Sequence, residues 1–149
     1  MNFFAVSIPH RKDYIDLLLL ADESEAMVDL YLERGDMYAL ADEGRVVSVC
    51  VVTDEGDNTL EIKNLATLPE MQGHGYGKKM IAFVKEQYAG KYEWLLVGTG
   101  DSPLTVPFYE KCGFVRSHII PNFFTENYDH PIVECGVTLV DMVYLKQPL

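Results

Sequence analysis

Apolar and polar positions along the chain alternate between two periods, and the change of period marks the elements. Residues 3–7 are apolar enough for a short first strand. Across residues 12–20 the apolar side chains Tyr14, Ile15, Leu18 and Leu19 return at helical spacing. Asp22 and Ser24 are capping residues for a second helix, with Met27, Val28, Leu30, Tyr31 and Leu32 as its apolar set and Gly35 as its stop. Strand periodicity follows at 37–41 and 45–53, joined by the turn pair Glu43-Gly44, which predicts a hairpin. A turn at 54–58 leads to a third strand at 59–67.

The period then returns to 3.6. A glycine-rich loop at 69–77 precedes a helix with Met80, Ile81, Val84 and Tyr88 on one face, closed near Gly90. Residues 93–97 form a short apolar strand. Strand, glycine loop, helix, strand is a βαβ unit, which demands two parallel neighbours and a right-handed crossover. A short helix at 107–112 stops at Gly113, followed by a strand at 114–119. An aromatic, proline-containing segment, 120–135, leads to a last strand at 137–145. The expected fold is mixed α/β of the α+β type: a central, mostly antiparallel sheet with one parallel step and helices on both faces. With 149 residues and no linker or repeat, one domain spanning 1–149 is expected.

Composition narrows the function. The net charge of −11 argues against a nucleic-acid partner, because phosphate contacts need a basic face. Residues 1–61 carry 14 acidic and 4 basic side chains, whereas 62–149 carry 9 and 8. One half suits a cationic substrate and the other tolerates phosphates. The longest apolar run, 17–21, is far shorter than a membrane span, and the amino terminus has no basic n-region. The expectation is a cytoplasmic protein without a membrane partner. Cys50, Cys112 and Cys135 have no CxxC spacing and read as reduced, buried thiols, and the histidines show no metal motif.

The chemistry concentrates at Gln72-Gly73-His74-Gly75-Tyr76-Gly77, between a strand and a helix amino terminus. Free N–H groups and the helix dipole make an anion site there, and Lys78 and Lys79 add charge. The dinucleotide pattern GxGxxG fails at Met80 and the Walker A pattern fails at Lys79. The run Leu65-Ala66-Thr67-Leu68-Pro69-Glu70-Met71-Gln72-Gly73-His74-Gly75-Tyr76-Gly77, with Phe108-Tyr109-Glu110-Lys111-Cys112-Gly113-Phe114 after one more helix and strand, resembles the paired motifs of the GNAT superfamily of N-acetyltransferases. The resemblance covers nearly the whole chain.

That resemblance implies acetyl-CoA as co-substrate and no metal. It implies that backbone amides of Gln72, Gly73, His74, Gly75, Tyr76, Gly77 and Lys78 bind the pyrophosphate. Leu65, Ala66 and Thr67 would pair with the pantetheine arm. Tyr109 matches the family tyrosine beside the cofactor sulfur, a proton donor to the leaving thiolate. Glu61 aligns with a glutamate base. Where relatives carry asparagine seven residues before the tyrosine and alanine four before it, this chain has Ser102 and Thr105; Ser102 retains a hydrogen-bonding group for the pantetheine arm. Tyr128 and His130 stand as substrate contacts or as packing. The resemblance implies an acceptor that is a primary amine, taken as small and cationic from the acidic first half, and allows a homodimer. The alternatives are a non-catalytic acyl-CoA sensor and a nucleotide-binding protein.

Overall fold

A computed structural model describes residues 1–149. Its main sheet has seven strands: β1 (Asn2–Ala5), β2 (Asp36–Asp42), β3 (Arg45–Asp54), β4 (Thr59–Thr67), β5 (Trp94–Gly100), β6 (Val115–Ile120) and β9 (Met142–Pro148). The spatial order is β1-β2-β3-β4-β5-β9-β6. All neighbours are antiparallel except β4 and β5, which are parallel. A small hairpin of β7 (Val133–Glu134) and β8 (Val137–Thr138) stands apart. The expected meander and βαβ step are both present.

Helices cover both faces. On one, α3 (Tyr76–Tyr88) buries Met80, Ile81 and Val84 against Val52, Leu60 and Ile62 of the sheet, and α4 (Val106–Lys111) adds Val106 and Tyr109. On the other, α1 (Ile15–Ala21) and α2 (Glu25–Asp29) bury Leu17, Leu18 and Val28 against Val49, Val51 and Ala66. Strand β3 lies between the two cores, so it reads as an apolar run instead of an alternation.

Several boundaries differ from the periodicity; the strand expected at 93–97, for one, starts at Trp94 and runs on to Gly100. The first helix becomes α-helical only at Ile15; a 3₁₀ stretch, Ile8–Tyr14, precedes it. Arg11 explains the tight turn. Its buried guanidinium donates to the carbonyls of Val6 (3.1 Å), Leu32 (2.6 Å) and Gly35 (2.8 Å), which pins this stretch to the start of β2. Helix α2 begins where expected, with Ser24 Oγ accepting from the Met27 N–H at 3.3 Å, but stops at Asp29. The strand expected at 137–145 is broken: 137–138 belong to the small hairpin and β9 starts at Met142. Between them Asp141 accepts from the Asn122 N–H at 2.8 Å and Leu139 drops into a separate cluster with Phe124 and Ile132.

One irregularity shapes the site. Adjacent residues Val51 and Val52 of β3 face Asn64 and Ile62 of β4, so Lys63 is an extra residue, a β-bulge. Leu60 and Ile62 belong to the α3 core, whereas Ala66, beyond the bulge, belongs to the α1 core. The bulge therefore reverses which face of the sheet each residue meets. It also marks where β4 leaves β5: parallel pairing runs only from Thr59↔Trp94 to Ile62↔Val97. Beyond it both strands continue, β4 to Thr67 and β5 to Gly100, with their facing edges open.

Candidate active site

The gap between the diverging strands opens into a cleft of about 950 Å³. Its floor is residues 61–67 of β4 and 97–100 of β5. Loop residues Gln72, Gly73 and Gly75 and the first turn of α3 close one end, and α1, α2 and the segment around α5 (Phe123–Asn127) close the other.

At the glycine end, the first helical hydrogen bond of α3 runs from the Lys79 N–H to the Gly75 carbonyl at 3.0 Å. The N–H groups of residues 73–78 have no backbone acceptor. Gly73 and Gly75 have φ of 80° and 85°, the left-handed conformation that turns successive amides toward one point. Gln72 does not point at that nest: its Nε2 donates to the Thr67 carbonyl at 3.1 Å, tying the loop to the end of β4. His74 lies outside the cleft wall, its Nδ1 3.0 Å from the Met71 carbonyl. Tyr76 puts its ring in the core and its hydroxyl on Asp42. Gly77 has a packing reason: a Cβ there would lie 3.0 Å from Phe108, so α3 and α4 meet at that glycine. Lys78 lines the cleft. This end, unpaired amides beside an open strand edge, fits an anionic head followed by an extended, amide-bearing arm.

Across the cleft, α4 starts at Val106 with Pro107 in its first turn, where a missing N–H costs nothing. Tyr109 is buried between Phe108 and Phe114, at ring distances of 5.1 and 5.7 Å. Burial pushes its phenol well above the usual range, so it stays protonated at neutral pH. Ser102 is buried and does not reach the cleft wall; its Oγ accepts from the Leu104 N–H at 3.2 Å and contacts Thr105 at 3.3 Å. Thr105 is on the wall instead, its Oγ1 donating to the Gly100 carbonyl at 2.9 Å. The sequence signal for Thr105 was present as a polar residue where relatives carry alanine.

At the acidic end Glu61 is buried on the cleft wall, 2.9 Å from Lys63 Nζ. Lys63 also faces Glu55 at 3.9 Å, and Glu55 pairs with Arg34 at 2.8 Å. Burial raises the Glu61 carboxyl above the ordinary glutamate value, and Lys63 opposes the rise. Residues 120–135 form part of the wall: Tyr128 stacks on Phe124 and donates to Asp22 at 2.7 Å, and His130 approaches Glu23 at 3.4 Å. Periodicity did not single out Asp22, Tyr31 or Asn64 for the site. Asn64 alone carried a signal, an amide in an apolar strand.

Of the thiols, Cys50 is buried as expected, but Cys112 is only partly covered and Cys135 is exposed at the turn of the β7–β8 hairpin. No helix is long and apolar enough to cross a membrane.

Comparison with known proteins places this geometry. Residues 33–116 match the family model of the acetyltransferase (GNAT) domain. YvbK of Bacillus subtilis, an uncharacterized N-acetyltransferase, is 38% identical over 133 residues, covering 87% of this chain and 85% of its own. An IAA acetyltransferase from Bacillus cereus superposes with a TM-score of 0.93 at 33% identity, covering 99% of both chains. A GNAT family acetyltransferase from Elizabethkingia anophelis, solved with acetyl-CoA bound, has the same score and identity over 99% of this chain and 97% of its own.

Proposed function

The chain belongs to the GNAT superfamily and is an acetyl-CoA-dependent acetyltransferase; from that premise we propose that it acetylates a small cationic primary amine by direct attack in a ternary complex. The observation that carries the reading is the cleft itself, which joins an N–H-rich, lysine-flanked end to an acidic end across an open strand edge. One seven-stranded sheet, with strands drawn from Asn2 to Pro148, supports residues 1–149 acting as one catalytic unit.

Acetyl-CoA brings an activated thioester. The amides of Gly73, His74, Gly75, Tyr76, Gly77 and Lys78 hold its pyrophosphate, with Gln72 fixing the loop to Thr67. The open edges of Leu65, Ala66 and Thr67 pair with the pantetheine arm. Thr105 serves that arm from the opposite wall, and Ser102 holds Thr105 in place. An acceptor ammonium near pKa 10 must lose a proton before its nitrogen attacks. Glu61 takes that proton, directly or through one water. As the C–N bond forms and the C–S bond breaks, the electron pair leaves on sulfur; Tyr109 O–H supplies the proton that makes the free thiol, and the second proton shed by the nitrogen as it becomes an amide returns to the Tyr109 phenolate, directly or through one water.

The test is transfer itself. Acetyl-CoA is expected to raise the melting temperature where ATP and NAD do not, and a panel of primary amines is expected to release CoA. At 100 times the dissociation constant the stabilisation is about 2.7 kcal/mol, a shift of roughly 2–4 °C per kcal/mol for this size. Acetyl-CoA binding without turnover of any amine or peptide amine would overturn the proposal.

Glu61 makes a pH prediction. A base acts only when deprotonated, so kcat/KM is expected to fall as pH drops through a value above the ordinary glutamate pKa, because burial raises this carboxyl. Glu61→Gln is expected to lower kcat/KM by about 10²-fold or more and to erase that acid limb. An unchanged acid limb in the variant would assign the base elsewhere.

A further inference from the structure

Asp22 lies between α1 and α2 on the cleft wall, with no basic partner. Its three donors are neutral. Oδ1 accepts from Tyr128 Oη at 2.7 Å and from the Ser24 N–H at 3.3 Å, and Oδ2 accepts from Tyr31 Oη at 3.2 Å. A carboxylate has room for about four donors, so Oδ2 keeps one free lone pair. Glu61 shows the contrast, since burial there comes with an ammonium at 2.9 Å. A half-buried carboxylate without a counter-ion is costly unless a cation arrives from outside.

A second, independent observation comes from Asn64, which is 2% exposed and also lines the cleft. Its Nδ2 donates to the Leu18 carbonyl at 2.9 Å and to Tyr31 Oη at 3.1 Å. Tyr31 therefore accepts from Asn64 and spends its own proton on Asp22. Asn64 Oδ1 is left as a buried oxygen with no hydrogen-bond partner. Two groups joined through one tyrosine thus each keep acceptor capacity unfilled, one lone pair on Asp22 Oδ2 and the whole of Asn64 Oδ1. Glu23 and Glu134 lie on the same wall and deepen the negative potential. The cations near this end are already committed, Lys63 to Glu61 and Arg34 to Glu55, while His130 sits between Asp129 and Glu23.

An acceptor-only wall is complemented by a donor-only cation. We propose that Asp22, oriented by Tyr31, Tyr128 and Asn64, anchors a second ammonium group, so that the acceptor is a diamine or longer polyamine with one nitrogen held here while another is acetylated. This rests on the acetyltransferase reading of the cleft and names its substrate class. Asp22 is then the specificity-determining residue.

The test compares 1,3-diaminopropane through 1,6-diaminohexane with monoamines in which the far ammonium is a methyl group. At least one diamine is expected to exceed its partner in kcat/KM by about ten- to hundredfold, the worth of one charged hydrogen bond, mainly through KM. In Asp22→Asn that ratio is expected to fall to about 1, with the acetyl-CoA thermal shift retained as proof of folding. Turnover without a diamine preference, or a preference that survives Asp22→Asn, would overturn the anchor and leave the acetyltransferase reading standing. If no amine turns over, that reading fails by itself, and calorimetry of the diamines on the CoA-bound protein judges the anchor: binding lost in Asp22→Asn supports it, and no binding overturns it.

Discussion

Replacing Tyr109 by phenylalanine is expected to lower kcat by about 10²–10⁴-fold, the usual worth of a positioned proton donor, with little change in KM for acetyl-CoA. Phenylalanine keeps the ring between Phe108 and Phe114, so the packing of α4 survives. No hydrogen bond within the protein is among the influences on the Tyr109 hydroxyl. Its removal therefore breaks no native bond, and the melting temperature is expected to hold or rise slightly. Burial keeps the phenol protonated through neutral pH, so the donor form is present throughout the working range, and wild-type activity is expected to show no loss from this group below its ordinary pKa of 10. Single-turnover acetyl transfer, beside acetyl-CoA titration, separates chemistry from binding. A kcat within threefold of wild type would remove Tyr109 from the proton path.

Gly75→Val should cut the acetyl-CoA thermal shift to about half or less. Gly75 caps α3 with φ 85° and ψ 8°, a conformation that β-branched residues resist. The backbone strain is worth about 1–3 kcal/mol and lowers the melting temperature of the free protein modestly. Sterics add nothing in the free protein, because a Cβ there meets no atom within 4 Å. That empty space is where an anion would sit, and the valine methyls fill it. Losing even one amide bond to a phosphate costs about 1.5–3 kcal/mol, a ten- to hundredfold weaker Kd. The two effects separate experimentally: melting of the free protein reads the strain, and the ligand-induced shift reads the site. A full acetyl-CoA shift in a folded Gly75→Val would place the pyrophosphate elsewhere.

The ends of the site that depend on backbone were legible in the sequence. Glycines at 73, 75 and 77 beside a helix start imply unpaired amides, and the amides are there. Pro107 implied a short helix beginning beside it, and α4 spans Val106–Lys111. What stayed hidden depends on long-range contacts. The bulge at Lys63 marks residues 59–67 only as a slip of phase, Leu60 and Ile62 against Leu65, and one displaced residue in so short a strand does not separate a bulge from a loose alternation. Asp22 looked like a helix cap and does accept from the Ser24 N–H, but its partners Tyr31 and Tyr128 lie 9 and 106 residues away. The motif position of Ser102 implies a contact with the pantetheine arm; a turn consumes its hydroxyl and leaves Thr105 on the cleft wall. The strand expected across 137–145 is broken because Leu139 is buried like a strand residue, yet in a separate cluster that holds the cleft's outer wall.

The parting of β4 and β5 has a consequence for product inhibition. The unpaired edges and the amide nest would grip the pyrophosphate and the pantetheine arm, and those parts are identical before and after the acetyl group moves. Binding energy shared by reactant and product does not drive the chemical step. It would hold spent CoA about as firmly as the loaded form. As acetyl-CoA is consumed, the accumulating CoA is expected to compete for the same open seam, so that the ratio of the two, more than the amount of either, would set the pace of turnover.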